Sequence, residues 1–311
     1  MNEFDLIRRL KPLLTVTSSV VTGAGDDCAV LANPGSGREI LLKTDIIVED
    51  IHFTPTTEPS RIGRKALARV ISDIAAMGGI PTAAVITLGL PVDFVPERIE
   101  AIYAGMADLA RQYHIALVGG ETSRSQGVFF INVALTGWVE TGCAVLRSGA
   151  QLGDALFVSG ELGGSIEGHH LDFTPRLEEG RWLAQQRTVH AMIDLSDGLA
   201  GDLPHLLEAS GIPGAEIHAS ALPFRRSARL RARSGDTAKP AVAAALTDGE
   251  DFELLFAVAP ANAIRLLDGW KSQFPNVRIS CIGRLTSQPG VFLRNERGLM
   301  PVTANGFQHF S

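Results

Sequence analysis

A mixed α/β (α+β) fold in two domains is the class this sequence predicts, on three observations. Segments of strand and helix character alternate from Glu39 to about residue 140. After the turn-rich stretch "LRSGAQLGD" the alternation starts afresh. The 311 residues also exceed the roughly 100 to 200 of a typical domain. The boundary is placed near residue 148, giving domains over 1–147 and 148–311.

Each element follows from local pattern. "MNEFDLIRRLKPLL" reads as a short amphipathic helix, with charges throughout and no apolar core of a signal peptide. "GAGDDCAVL", Gly23 to Leu31, sets two mutually repelling aspartates between glycines that permit a tight turn and an apolar run that enters the core. "EILLKT" is a strand with Asp45 at its end. In "RIGRKALARVISDIAAMGG", Ile62, Ala66, Val70, Ile74 and Met77 recur at helical spacing, Gly78-Gly79 stops the helix, and Asp73 lies on its last turns. "AAVITLGLP" is a β-rich run closed by proline. Ile99, Ile102, Met106, Leu109 and Tyr113 then mark the clearest amphipathic helix of the chain. "IALV" is a short strand ending at Gly119-Gly120-Glu121-Thr122, and "VFFINVALTGWV" a long one.

In the second half, "ALFVSG", "AMID", "FELLFAVA" and "VRISCIGRL" read as strands. "RLEEGRWLAQQR", "GLAGDLPHLLEAS" and "ANAIRLLDGWKSQF" read as helices. The basic run "RRSARLRARSGDTAKP", Arg225 to Pro240, reads as a solvated loop or helix face.

Composition narrows the function. A net charge of −6 gives no general pull toward nucleic acid or anionic lipid, so neither is an expected partner. No window approaches the roughly 20 apolar residues of a membrane span, and a soluble chain is expected. Cys28, Cys143 and Cys281 are far apart and form no zinc or disulfide pattern, which fits a reducing cytoplasm.

Carboxylates supply the chemistry. Asp26 and Asp27, Asp45, Asp73, Glu121, Asp194 and Asp197 all fall where strands or helices give way to turns. Any one of them is accounted for as a cap or turn former. Gathered in one partly dry cleft, they could not all stay ionised without cations, because like charges raise one another's pKa. With all-oxygen ligands and no Cys or His nearby, the cation expected is hard, Mg²⁺ rather than zinc. Magnesium commonly bridges carboxylates to phosphates, so the acids imply a polyphosphate indirectly.

The familiar phosphate motifs are missing. There is no GxxxxGK[ST], "GAG" at Gly23 to Gly25 lacks a third glycine at dinucleotide spacing, and the kinase HRD and DFG sets are absent. A nucleotide could still be held through Mg²⁺, by the Gly119-Gly120 backbone and by Arg147. Taken alone, Arg147 reads equally as a surface salt bridge, His52 as a structural histidine, and Ser196 as a turn hydroxyl. His169-His170 reads as part of a polar loop.

Together these segments resemble the thiamine-monophosphate kinase family, of the superfamily that includes aminoimidazole ribonucleotide synthetase and selenophosphate synthetase. The resemblance rests on "GAGDDCAVL", "KTDIIVEDIHF", "ALARVISDIAAMGGIP", "GGETSRS", "LRSGAQLGDALFVSG", "AMIDLSDGLAGDLPHL", "LTDGEDFELLF", "CIGRL" and "GFQHF", almost end to end. It implies a two-domain synthetase-like fold, with metal, nucleotide and dimerisation surfaces in the N-terminal domain. It also implies ATP-dependent phosphorylation of thiamine monophosphate to thiamine diphosphate, by direct in-line transfer with several Mg²⁺ ions, in a cytoplasmic homodimer.

Residue by residue, the resemblance assigns magnesium to Asp27, Thr44, Asp45, Asp73, Glu121, Asp194 and Asp197. ATP falls to Gly120, Arg147 and Ser196, and thiamine monophosphate to His52, Glu250 and Phe307. No acid, base or nucleophile is called for, and Asp26 is a supporting residue. A cationic thiazolium suits both an aromatic face and a carboxylate.

Three departures stand out. Lys43 stands where the family commonly has serine, so that a cation there displaces one metal or touches a phosphate. Glu121 stands for the usual aspartate of a GGDT element, and "GELGGSIEGHHLDFTPRLEEG" is shorter than the family's stretch. The alternatives are a relative acting on another acceptor and a catalytically weak protein that binds thiamine phosphates or nucleotide.

Overall fold

The structure is a computed structural model that describes residues 3–233, 239–303 and 306. The first half contains α1 (Glu3–Leu10), β1 (Val20–Thr22), β2 (Ala29–Asn33), β3 (Arg38–Val48), α2 (Pro59–Ala76), β4 (Ile80–Leu90), α3 (Pro96–Gln112), β5 (Ala116–Arg124) and β6 (Phe130–Glu140). Its strands form one sheet in the order β1-β2-β3-β6-β4-β5. Only β4 and β5 pair in parallel, joined through α3; the other neighbours are antiparallel.

The second half contains β7 (Ala155–Ser159), α4 (His169–Asp172), α5 (Leu177–Gln186), β8 (Val189–Asp194), α6 (Leu199–Ser210), β9 (Gly214–His218), α7 (Arg226–Arg231), α8 (Ala241–Thr247), β10 (Leu254–Val258), α9 (Pro260–Gln273), β11 (Ile279–Thr286), β12 (Gly290–Asn295) and β13 (Gly298–Pro301). These strands form a second sheet, β13-β12-β9-β11-β7-β10-β8.

Helix α2 joins the halves. Glu58 caps it by accepting from the Ser60 and Arg61 main-chain N–H groups, Pro59 opens it, and Gly78 beyond it takes a left-handed φ of +68°. It is buried along most of its length because it is covered twice. Ile62, Leu67, Val70 and Ile74 pack with Leu41, Ile131 and Val133 of the first sheet. Ala76 instead joins Val145 of the connecting segment and Phe157, Leu183 and Met192 of the second half. Burial on both sides drives the helix into the seam.

On the opposite face of the first sheet Leu42, Ile46, Val85 and Val118 are exposed among the described residues. No helix among the described residues is long and apolar enough to cross a membrane.

Three sequence expectations are corrected. β5 does not end at Gly119 but runs through to Arg124, paired with β4 as far as Leu90↔Arg124. A Cβ at Gly120 would lie 1.7 Å from the Ile86 carbonyl oxygen, so the glycine allows strand approach there rather than a turn. The basic run is not simply a solvated face: it contains α7, and Arg225 and Arg231 reach Asp251 and Asp248. His169 and His170 are tied to the main-chain carbonyls of Asp251 and Ser165.

Candidate active site

Four carboxylates and four cations converge where α2 meets the two halves. Period-2 alternation along β3 sends Lys43 and Asp45 toward α2. On α2, Lys65, Arg69 and Asp73 are spaced four apart and form one stripe. Asp194 ends β8, Asp27 precedes β2, and Arg147 lies in the connection between the sheets.

One carboxylate oxygen from each of Asp27, Asp73 and Asp194 lies within 4.8 Å of the others, and all three residues are buried. Lys43 Nζ donates to Asp73 Oδ1 at 2.6 Å, and Ser72 Oγ to Asp194 Oδ2 at 2.6 Å. Arg69 Nε donates to Asp45 Oδ2 at 2.9 Å. Arg147 grips Asp27 Oδ1 through Nε at 3.1 Å and through Nη2. Asp27 Oδ2 is buried and has no partner.

Asp26 explains the double aspartate. Gly25 turns the chain at φ +128°, and the Asp26 carboxylate accepts from the Arg147 main-chain N–H at 3.2 Å. Asp26 therefore holds the backbone of the arginine that grips Asp27.

The electrostatics show a shortage of positive charge. Burial, then the charge of Asp27, push both Asp26 and Asp194 up to about 6. Burial lifts Asp73 well above the usual carboxylate range; Lys43 opposes this, while Asp194, Asp45 and Asp27 add to it. Burial acts the same way on Asp45, but Arg69 and Lys43 outweigh it and hold that carboxyl low.

An all-oxygen set with one orphaned, buried carboxylate oxygen fits a hard divalent cation. The residues suited to hold it are Asp27, Asp73 and Asp194, with Asp45 beside them.

A cleft of about 490 Å³ opens from this cradle, lined by Lys43, Asp45, His52, Arg69, Asp73, Asp194, Ser196, Asp197 and Phe252. A smaller lobe of about 100 Å³ shares His52, Arg69, Ser196 and Asp197 and adds Glu250. Glu250, at a left-handed φ of 52°, receives Lys65 Nζ at 2.8 Å and Arg69 Nη1 at 3.3 Å. Lys65 also donates to the His52 carbonyl at 2.6 Å, and burial outweighs Glu250 to push its ammonium down to about 8. His52 Nδ1 accepts from Val48 N–H at 3.0 Å, which assigns the proton of a neutral ring to Nε2. Asp197 donates its main-chain N–H to Asp202 at 3.0 Å.

Asp27, Asp45, Asp73, Asp194, Asp197, Arg147, Ser196, His52 and Glu250 thus sit in or around one cleft. Thr44 and Glu121 do not join them. Thr44 points to the open sheet face, where its hydroxyl donates to Asn132 at 2.9 Å. Strand register puts Glu121 opposite Thr87, Thr87 opposite Asn132 and Asn132 opposite Ile46, a row on that same face. Gly120 lines neither lobe. Phe307 lies outside the described residues.

Sequence reading missed Lys65, Arg69, Ser72 and Asp202. For the first two a signal existed, because charges four residues apart in an otherwise buried helix mark a stripe facing something polar.

The fold is aminoimidazole ribonucleotide synthetase-like, and residues 25–139 match the family described as "AIR synthase related protein, N-terminal domain". The thiamine-monophosphate kinase of Rhodopirellula baltica is 39% identical, over 88% of this chain and 86% of its own. That of Haemophilus influenzae is 35% identical, over 100% and 98%. A solved structure of AaThiL complexed with AMPPCP and TMP superposes with a TM-score of 0.83 at 31% identity, covering 99% of this chain and 97% of the other. This chain belongs to the thiamine-monophosphate kinase family.

Proposed function

We propose that the chain transfers the γ-phosphoryl group of ATP to the phosphate of thiamine monophosphate, giving thiamine diphosphate and ADP. The observation that carries this reading is a cation-deficient carboxylate cradle opening into a two-lobed cleft, in a chain whose relative binds AMPPCP and TMP together. The acceptor is already an anion at neutral pH and needs no strong base. Catalysis is therefore a matter of holding two anions in line and offsetting their charge.

Magnesium, held by Asp27, Asp45, Asp73, Asp194 and Asp197, would neutralise phosphate charge as it shifts during transfer, whereas Thr44 and Glu121 would hold a further ion only on the other sheet face. Arg147, Ser196 and Gly120 contact ATP. Asp26 fixes the main chain of Arg147, and Asp202 that of Asp197. His52, Glu250 and Phe307 contact thiamine monophosphate, with Lys65 and Arg69 setting the Glu250 carboxylate.

The domain over 1–147 carries Asp27, Asp45, Asp73 and Arg147, and that over 148–311 completes the cleft with Asp194, Ser196 and Asp197. The reaction runs in the cytoplasm, in a homodimer. The sheet face with Leu42, Ile46, Val85 and Val118 exposed supports pairing with a second copy there, since exposed apolar surface of that kind favours association.

Purified protein given ATP, Mg²⁺ and thiamine monophosphate should form thiamine diphosphate. No product above an enzyme-free control would overturn the reading, and calorimetric binding without turnover would make the chain a sensor. Sedimentation equilibrium at the single-chain mass of 33.1 kDa would rule out the dimer.

A further inference from the structure

Lys43 places its ammonium among the cradle acids, where it lines the cleft beside Asp73. Its Nζ is 2.6 Å from Asp73 Oδ1, and its charge also acts on Asp45 and Asp194. Arg69 is committed to Asp45 and Glu250, and Arg147 to Asp27. Among the described residues the Asp194 side-chain carboxylate accepts a hydrogen bond from the Ser72 hydroxyl alone, and Asp27 Oδ2 is buried without a partner. Four carboxylates thus face three fixed cations, and the shortfall lies on the Asp27–Asp194 side.

The two sides therefore differ. On the Asp27–Asp194 side a divalent ion would find an acceptor that no protein group satisfies. On the Asp45–Asp73 side it would meet an ammonium, which has no lone pair to offer as a ligand and repels a second cation. A short oxygen-bearing side chain at position 43 would do the reverse, removing a charge and adding a donor atom.

We infer that the Lys43 ammonium is a built-in substitute for one divalent cation, so that the Asp27, Asp73 and Asp194 cradle takes a single ion where an oxygen ligand at position 43 would admit two. The inference rests on the magnesium reading above. It makes part of the site's positive charge independent of magnesium concentration, because a tethered lysine does not dissociate.

The test counts ions directly. Mn²⁺ bound per chain is measured without nucleotide by electron paramagnetic resonance of the free ion, for the unaltered protein and for Lys43→Ser, Lys43→Arg and Asp194→Asn. Expected are about one cradle ion in the unaltered protein and in Lys43→Arg, about two in Lys43→Ser, and loss of the cradle ion in Asp194→Asn. An unchanged count in Lys43→Ser overturns the substitution. So does an unaltered protein that already holds two ions which Asp194→Asn releases together, a result that does not depend on how Lys43→Ser folds. Absence of bound Mn²⁺ in every protein overturns the magnesium reading itself, and with it this inference.

Discussion

The cradle and the acids around Asp251 make an instructive pair, since both bury carboxylates against arginines. Around Asp251 every carboxylate oxygen is satisfied. Glu253 receives Arg176 at 2.6 and 2.7 Å plus the Ser159 hydroxyl at 2.7 Å. Asp251 receives the Gly163 N–H at 2.9 and 3.1 Å and Arg225 at 3.4 Å. The atom left over in that group is Arg225 Nε, a donor that no cation can satisfy. In the cradle the leftover atom is an acceptor, Asp27 Oδ2.

Raised titration does not separate the two groups. Burial pushes Asp251 up to about 7 despite Arg225, much as it lifts Asp194 to about 6. What separates them is the sign of the unsatisfied atom and the cleft beside it. One group is finished as structure; the other awaits a ligand.

Three substitutions test that contrast, from the largest effect down. Glu253→Ala strands the buried Arg176 guanidinium and should cost about 3–5 kcal/mol of stability. The folded fraction should keep its Mg²⁺ binding. An unchanged denaturant midpoint would mean the Glu253 pair is not structural.

Asp45→Asn keeps an acceptor for Arg69 but removes a charge from the cleft. Activity should fall on the order of 10²- to 10³-fold, with stability changed by about 1 kcal/mol or less. Equal turnover would remove Asp45 from the metal set.

Asp194→Asn should stabilise the metal-free protein by roughly 1–3 kcal/mol near pH 8. The carboxyl, raised from 3.8 to about 6, takes up its proton more readily folded than unfolded. Its charge therefore destabilises the fold increasingly as pH rises from about 4 through 6, and the variant's advantage should disappear at the acid end of that window. Saturating Mg²⁺ should reverse the order by stabilising only the unaltered protein. A gap that does not vary with pH would exclude the Asp194 charge as its source.

Much of the fold could be read along the chain. α2, α3, β4 and β6 are long, strongly periodic and apolar on a defined face, so local pattern and tertiary burial agree. β9 and β12 are short and mix polar with apolar residues, and β13 is four residues ending in proline; they become strands only because β11 and one another supply partners.

The site was legible as a list of acids but not as an arrangement. Alternation along β3 already separates Thr44 from Lys43 and Asp45, although the shared motif groups Thr44 with Asp45. That Lys43 meets Asp73, or Ser72 meets Asp194, depends on contacts 30 and 122 residues apart in the chain, which no local window contains.

One loop, residues 248–253, carries a mechanical consequence. Its four acids are dealt out in different directions. Asp248 goes to Arg231 and Lys239, Asp251 to Gly163, Glu253 to Arg176, and Glu250 alone crosses to Lys65 and Arg69 on α2. The left-handed backbone at Glu250 and Phe252 makes that fan possible, and Phe252 lands in the core of the first half. The loop is a rivet: prising the halves apart would have to pull an aromatic plug and two part-buried ion pairs at once. The cleft is then a jaw set at fixed width rather than one that snaps shut. Small-angle scattering profiles with and without nucleotide should superimpose, and a contraction on binding would show that the rivet slips.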